Sequence, residues 1–267
     1  MLRRWCIPLA GLGLVLGSVA AAGTASAAPA QHTSTHVIGP ATHLIRPGPG
    51  TRPRVAHGGP ANAASSTNWS GYAAASGTYK SVSATWNEPT GTCSGSAKYS
   101  SFWVGLDGYN SSTVEQTGSE VDCSGSTPEY YSWYEMYPAY PVNFSNPVSP
   151  GDQFYGSVTY NGSSSYTLVL KDTTKGWSHT VTKSLSGAAN SSAEVIAEAP
   201  CCTASGGILP LAHFSPVTFT SATVNGSAIG NFSPTQIVMV DGSGRAKDSV
   251  SSLSGGNSFK VTWLRAN

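Results

Sequence analysis

Short runs in which apolar and polar residues alternate dominate the chain from Asn68 onward. The run SVSATWNEP (81–89) sets Val82, Ala84 and Trp86 against polar neighbours, and similar runs continue to FKVTWLR (259–265). Clusters of Gly, Asn, Pro and Ser separate the runs. Alternation with a period of two predicts strands with one buried face, and many short strands without a helical stretch indicate an antiparallel sandwich or barrel. We therefore predict an all-β fold.

The N-terminal segment has the features of a secretory signal. Two arginines near the start precede an apolar run from Ile7 to Ala22, and a small-x-small pattern follows at Ala25–Ala27. This order predicts a signal peptide at 1–27 and a secreted, extracellular protein. A retained membrane anchor fits less well, because several glycines and Pro8 interrupt the apolar run.

Residues 28–60 differ from the chain that follows. They contain many prolines, four of the six histidines and no acidic residue. This composition predicts a pro-segment or a disordered leader, so the chain's own pro-segment is a possible partner of the β domain at 61–267.

The charge and the apolarity of the β domain each argue against one class of partner. From residue 61 onward there are nine basic and 13 acidic residues, 9 − 13 = −4. Nucleic-acid recognition depends on a basic surface, so no nucleic-acid partner is expected. No segment after the signal is apolar enough to span a bilayer, so no membrane partner is expected either. We expect a monomer.

Four cysteines remain after the signal peptide: Cys93, Cys123, Cys201 and Cys202. An even number in an exported chain predicts disulfides, and four cysteines allow three pairings. We favour Cys93–Cys123 with a vicinal Cys201–Cys202 pair. The spacing is poor for zinc and only two histidines remain in the domain, so we expect no metal and no cofactor.

Three predicted strands place carboxylates and large aromatic residues on one face. Side chains alternate across a sheet, so residues two apart share a face. The mixture indicates an aromatic-lined groove, although a single strand of this kind would be an ordinary solvent-facing strand. No nucleophile elbow and no H-E-x-x-H motif is present, so the chemistry falls to carboxylates. The residues are Trp103 and Asp107, then Trp133, Glu135 and Tyr137, and then Glu194 and Glu198.

Several motifs together resemble one protein family, the eqolisins or glutamic peptidases. The resemblance covers most of 68–240 and implies a secreted bacterial-type member. It also implies a concanavalin-like sandwich of two large antiparallel sheets, with a cleft on the concave face of one sheet. The motifs, in order, are NWSGY (68–72), VSATWNEP (82–89), FWVGLDG (102–108), VEQTGSE (114–120), SWYEMYP (132–138) and AEVIAE (193–198).

The resemblance also implies a site and a reaction. By motif position the catalytic pair is Gln116 and Glu198, and Glu194 is not the catalyst. Polypeptides are the expected substrates and acid the expected condition. The chain departs from the family pattern at Tyr131 and Met136, which bears on substrate preference and pH optimum. The residues placed in or beneath the cleft are Trp103, Asp107, Trp133, Glu135 and Tyr137.

The two side chains suit complementary steps of peptide hydrolysis. An ionised Glu198 can take a proton from water and return it to the leaving nitrogen. The Gln116 amide can hold that water and then stabilise the oxyanion, without titrating.

Two other functions fit the same features. Two carboxylates in an aromatic groove could hydrolyse a glycosidic bond, with Glu135 and Glu198 as the pair. A non-catalytic, lectin-like module is the second alternative, because fold alone is a poor guide to function.

Overall fold

The computed structural model describes residues 63–200 and 208–267. The predicted signal peptide (1–27), the predicted leader (28–60) and the Cys201–Cys202 pair lie outside the described residues. The strands, numbered in chain order, are β1 (Ala63–Ser66), β2 (Trp69–Ala74), β3 (Ser81–Asn87), β4 (Gly91–Thr92), β5 (Lys98–Leu106), β6 (Val114–Ser124), β7 (Thr127–Tyr137), β8 (Val142–Asn143), β9 (Gln153–Gly162), β10 (Ser165–Asp172), β11 (Trp177–Ser184), β12 (Ala193–Glu198), β13 (His213–Phe214), β14 (Val217–Val224), β15 (Ser227–Ala228), β16 (Thr235–Met239), β17 (Asp248–Val250) and β18 (Phe259–Trp263). A 3-10 helix spans Ile229–Phe232.

Sixteen of the strands form two large sheets, and β4 and β13 pair in a small third sheet. The front sheet has the order β1-β16-β2-β12-β5-β6-β7-β8, and the back sheet has the order β11-β10-β9-β3-β14-β18-β17, with β15 paired to β14. Strand pairing is antiparallel except between β1 and β16. The predicted all-β sandwich of two large antiparallel sheets is therefore confirmed.

The main core lies between the two sheets and follows directly from the period-two pattern. In β3 the apolar positions Val82, Ala84 and Trp86 are all buried, whereas the polar residues between them are partly exposed. Phe102 and Phe154 contribute from the front and back sheets. Burying large aromatic side chains is the main favourable contribution to folding of this kind of domain.

A second apolar cluster lies on the opposite, outer face of the front sheet. It contains Trp69, Trp103, Trp133 and Ile196, all with no exposed surface. Both faces of this sheet are therefore buried at its centre, and the strands there lose the alternation of burial seen in β3. In β12 every residue is buried.

A disulfide braces the front sheet. Cys93 and Cys123 are joined by a disulfide that ties the segment before β5 to the end of β6, which confirms that predicted pair.

Among the described residues, no helix has the length and apolarity needed to cross a bilayer.

Candidate active site

Three rows of side chains cross the outer face of the front sheet. Each row takes one residue in turn from β2, β12, β5, β6 and β7, and directly opposed side chains in adjacent strands have Cβ atoms roughly 4.5–5.5 Å apart. The Glu198 row is Trp69, Glu198, Ser101, Glu120 and Tyr131; the Trp103 row is Gly71, Ile196, Trp103, Gly118 and Trp133; the Gln116 row is Ala73, Glu194, Gly105, Gln116 and Glu135.

Trp103 lies at the centre of this face because two glycines leave room for it. A Cβ on Gly118 would stand 2.3 Å from the carbonyl oxygen of Phe102 and 2.6 Å from Cβ of Trp103. A Cβ on Gly105 would stand 2.9 Å from Cζ3 of Trp103. Trp69 packs edge-on against the indole at a centroid distance of 4.9 Å. The glycines of the W-V-G and Q-T-G motifs therefore share one role, which is to seat this tryptophan.

The Glu198 carboxylate is held by two N–H donors. Nε1 of Trp103 donates to Oε2 at 2.8 Å, and Nδ2 of Asn68 donates to Oε1 at 3.1 Å. Asn68 begins a glycosylation sequon, but its side chain is fully buried and its amide nitrogen is already bonded to Glu198. The two donors fix the direction in which the carboxylate points.

Burial is the main cause of the raised pKa of Glu198, which lies well above its ordinary value. The hydrogen bonds from Trp103 and Asn68 oppose the shift, and the nearby carboxyl of Glu135 adds to it. A carboxyl with a raised pKa is a stronger base when ionised and a better holder of a proton when neutral. Both properties suit a group that must take a proton and return it.

Gln116 is fixed by a single carboxyl. Its Nε2 donates to Oε2 of Glu135 at 2.5 Å, across the β6–β7 pair. Its Oε1 is buried and has no hydrogen-bond partner among the described residues. Burial raises the pKa of Glu135 to about 8, with the Gln116 bond acting in the other direction. The site therefore contains a buried acceptor with no protein group to satisfy it.

Gln116 and Glu198 do not contact each other through a hydrogen bond, but both interact with Glu135. The two residues lie on strands separated by β5, and their partners on β5, Gly105 and Ser101, are four residues apart. No hydrogen bond joins them within the described ranges. Glu135, which holds Gln116, raises the pKa of Glu198 through its charge, so the three groups lie in one section of the face.

Asp107 supports the site from the end of β5. It adopts a left-handed conformation with a φ of 70°. Its carboxylate accepts N–H bonds from Ala189, Asn190 and Ser191 at 2.8–2.9 Å. These bonds anchor the segment that leads into β12, so Asp107 fixes the start of the strand that carries Glu198.

Trp133 and Tyr137 also lie on the outer face. Trp133 is fully buried in the Trp103 row, and its Nε1 has no partner among the residues described. Tyr137 is only partly buried and pairs with Val114 at the start of β6. Burial, and after it the charge of Glu135, raises the pKa of Tyr137. Trp103, Trp133, Glu135 and Tyr137 thus lie on the face that carries Gln116 and Glu198, whereas Asp107 lies just beyond the end of β5.

Five further residues lie on or beside this face, and no motif in the sequence predicted a role for them. Asn68 binds its carboxylate, and Ser101 and Glu120 follow it in the same row. Tyr131 donates a hydrogen bond to Oδ2 of Asp122 at 2.7 Å. The period-two pattern places Glu120 on the face of Gln116, four residues away, and could have found it. Nothing in the local pattern could reveal which strands lie beside β12.

Across residues 63–200 and 208–267, no three His, Cys, Asp or Glu side chains are grouped so that they could hold a metal ion.

Comparison with known proteins places these features in a family. The model of the peptidase A4 family matches residues 67–263. Scytalidopepsin B of Scytalidium lignicola is 34% identical over 170 residues, which cover 59% of this chain and 63% of that protein. Aspergillopepsin-2 of Aspergillus niger is 33% identical over 172 residues, which cover 61% of this chain and 59% of that protein. The chain thus spans about three fifths of these two relatives, and both come from fungi, so the expected bacterial type finds no support.

Solved structures agree with the sequence matches. A crystal structure of scytalido-glutamic peptidase with a transition state analog inhibitor matches with a TM-score of 0.66 and 26% identity, covering 74% of this chain and 98% of that one. Aspergilloglutamic peptidase from Aspergillus niger matches with a TM-score of 0.56 and 29% identity, covering 62% of this chain and 99% of that one. With the family match over most of its length, this chain belongs to the peptidase A4 family, the eqolisins.

Proposed function

We propose that this chain is a secreted, acid-acting endopeptidase in which Glu198 and Gln116 hydrolyse peptide bonds. The observation that carries the proposal is the Gln116 side chain, which is fully buried, held through one N–H by Glu135 and left with an unpartnered Oε1. An unsatisfied buried acceptor is costly unless a ligand meets it. A water molecule between Oε1 and Glu198 meets that need and supplies the nucleophile.

The reaction then proceeds in two proton transfers. In the fraction of molecules in which Glu198 is ionised, it takes a proton from the water as the water oxygen attacks the scissile carbonyl carbon. The second N–H of the Gln116 amide, which is not used by Glu135, donates to the oxyanion. Neutral Glu198 then gives its proton to the leaving nitrogen, and the C–N bond breaks. The Trp103 and Asn68 donors keep the carboxylate in one orientation through both steps.

An acid working range is supported by the distribution of carboxyl groups. Eleven of the 13 acidic residues are buried, and the described residues contain only two ion pairs. Buried carboxyls are most easily accommodated when they are protonated, which acid conditions favour. The buried acids are Glu88, Asp107, Glu115, Glu120, Asp122, Glu135, Asp152, Asp172, Glu194, Glu198 and Asp248.

Secretion is supported by the signal predicted at 1–27, and polypeptide substrates by the family. The leader at 28–60 is proposed to be a pro-segment that is removed before the domain acts. The family match favours this activity over the glycosidase that would use Glu135 and Glu198, and over a lectin-like module.

The test is a casein and peptide digest from about pH 3 to pH 7, a range that spans the ordinary pKa of a glutamate side chain, about 4.3. Wild-type protein should cleave, and Glu198→Gln should not, although the amide keeps the shape of the side chain. Glu129→Gln, an exposed position on β7, is the matched control and should cleave like the wild type. Cleavage retained by Glu198→Gln would remove Glu198 from the mechanism. Release of sugar without peptide cleavage would overturn the proposed function itself.

A further inference from the structure

The turn between β1 and β2 lies beside Glu198. In the front sheet β1 and β2 flank β16, so Thr67 and Asn68 carry the chain past the end of β16 from one side to the other. The backbone carbonyl of Asn68 accepts an N–H bond from Ala199, the residue after Glu198, at 2.8 Å. Both the backbone and the side chain of Asn68 are therefore bonded to the chain at the end of β12.

Ser66, the last residue of β1, holds this turn through its hydroxyl. Its Oγ accepts N–H bonds from the backbones of Asn68 at 3.3 Å and Trp69 at 3.1 Å. The same hydroxyl donates to Oδ1 of Asn68 at 3.0 Å. A hydroxyl has two lone pairs and one hydrogen, so these three bonds use its whole capacity. The Ser66 hydroxyl is buried and its hydrogen points in one direction.

The direction of the Ser66 hydroxyl determines which end of the Asn68 amide faces Glu198. An Asn side chain has an acceptor end, the oxygen, and a donor end, the NH2 group. Because Ser66 offers its hydrogen, it binds the oxygen end, and Nδ2 is left to donate to Oε1 of Glu198 at 3.1 Å. With the amide reversed, the NH2 group would meet a hydroxyl without a free lone pair, and a buried donor without an acceptor is costly. Ser66 thus selects the orientation in which Glu198 receives a donor.

The orientation of Asn68 matters because it favours one protonation state of Glu198. N–H donors bind an ionised carboxylate more strongly than a neutral acid. In the observed orientation both carboxylate oxygens receive a donor, Oε1 from Asn68 and Oε2 from Trp103. A reversed amide would present its oxygen instead, and an acceptor favours the protonated carboxyl. The Ser66 hydrogen bond therefore helps to keep a buried base ionised.

Two carboxyls and two indoles also face Glu198. The charges of Glu135 on β7 and Glu120 on β6 interact with it, and like charges favour its neutral form. β2 and β5 contribute the indoles of Trp69 and Trp103, which do not titrate. This set contains no cation, so the N–H donors are what offsets the effect of burial. The loss of one donor should therefore be measurable.

We propose that Ser66 is a positioning residue of the active site, which acts through Asn68 to direct a donor onto Glu198. The hydroxyl of Ser66 binds Asn68 and Trp69, so its effect reaches the carboxylate through the Asn68 amide. This role rests on the proposed function, in which Glu198 is the base. Ser66 also lies close behind the predicted leader at 28–60, so cleavage that activates the protein has to leave β1 in place.

The first test is the pH profile of kcat/KM for variants of the full secreted protein, because its rising limb reports ionisation of the base. Ser66→Ala should move that limb to higher pH by about one unit, the size expected when a hydrogen bond to a charged group is lost. The lost donor favoured the ionised form, so a higher pH is needed for the same ionised fraction. Ser66→Thr keeps the hydroxyl and should keep the wild-type limb. Ser65→Ala, at an exposed position on β1, is the matched control and should behave like the wild type.

The second test asks whether Ser66 acts through Asn68. Asn68→Ala removes the donor directly and should move the limb in the same direction by at least as much. In that background Ser66→Ala should move the limb no further, because two changes that break one contact are not additive. A thermal melt separates the other role of Ser66, since lost turn bonds lower Tm but do not move the limb.

A wild-type limb in Ser66→Ala, even with a lowered Tm, would overturn the inference and leave Ser66 a structural residue of the turn. Fully additive shifts in the double variant would overturn it as well. If Ser66→Ala does not fold, Ser66→Cys keeps the shape but offers only a weak donor, and an unshifted limb there would overturn the inference.

A wild-type protein that cleaves no peptide would overturn the proposed function instead. The role of Ser66 is then decided without activity, by following the titration of the Glu198 carboxyl with NMR. The pKa of Glu198 should be about one unit higher in Ser66→Ala than in the wild type, and equal values would overturn the inference.

Discussion

Replacing Glu115 by glutamine should change how the stability of the domain depends on pH. Glu115 lies on β6 beside Gln116 but on the inner face of the sheet, where it is fully buried. Burial, and after it the charge of Asp107, raises the pKa of Glu115 from 4.5 to about 9. A buried carboxyl with so high a pKa is neutral in the folded protein at every pH below about 8.

The sign of the effect follows from linkage. The folded-state pKa is raised, so the contribution of Glu115 to stability is complete below the unfolded pKa and is lost as pH rises toward the folded pKa. Between about pH 5 and pH 8 the unfolded chain loses this proton while the folded chain keeps it. Nearly three pH units at 1.36 kcal/mol per unit give a loss of about 4 kcal/mol in the free energy of unfolding.

The assay is urea unfolding of wild type and Glu115→Gln at these two pH values, with the exposed Glu129→Gln as control. The buried amide should cost Glu115→Gln about 1–3 kcal/mol at pH 5. At pH 8 the difference in the free energy of unfolding between the variant and the wild type should shift by about 4 kcal/mol in favour of the variant. The reason is that the amide does not titrate, so only the wild type loses stability as pH rises. Equal differences at the two pH values would refute the reasoning.

The same sign applies to other buried acids. Burial is the leading cause in each case, and it raises the pKa of Glu88 and Glu135 to about 8 and that of Asp122 to about 7. The whole domain should therefore be more stable in acid than at neutral pH, and it should unfold as pH rises through this range.

Three further substitutions test other parts of the structure. Gln116→Ala should lower kcat roughly 10²–10³-fold if the amide stabilises the oxyanion, and near wild-type peptide cleavage would leave it a structural group. Gly118→Ala should cost about 1–3 kcal/mol of unfolding free energy by crowding Trp103, measured by urea unfolding; an unchanged midpoint would contradict this packing. Cys93→Ser should cost roughly 3–4 kcal/mol, because the Cys93–Cys123 bond closes a loop with a sequence separation of 30; the loss should match that of the wild type under reducing conditions.

The alternation of apolar and polar residues was enough to predict the strands and the face that each one buries. Alternation in runs such as that at 81–89 predicted strands and their buried faces, because side-chain direction along a strand depends only on the pleat. The same rule placed Trp103, Glu135 and Glu198 on one kind of face before any strand order was known. Sequence spacing also pointed to the Cys93–Cys123 bond, which the structure contains.

Strand partners could not be predicted in this way. The neighbours of β12 are β2 and β5, which precede it by about 120 and 90 residues, and such pairings depend on which faces the whole chain can bury together. Only that order brings Asn68 and Trp103 to Glu198 and sets Ser101 between two acids. It also decides that both faces of the central strands are buried, and burial is the main cause of the raised pKa values. The sequence by itself determined the strand faces and the residues proposed to carry the chemistry; the tertiary structure decided what surrounds them, because the electrostatics of a carboxyl depend on its neighbours in space.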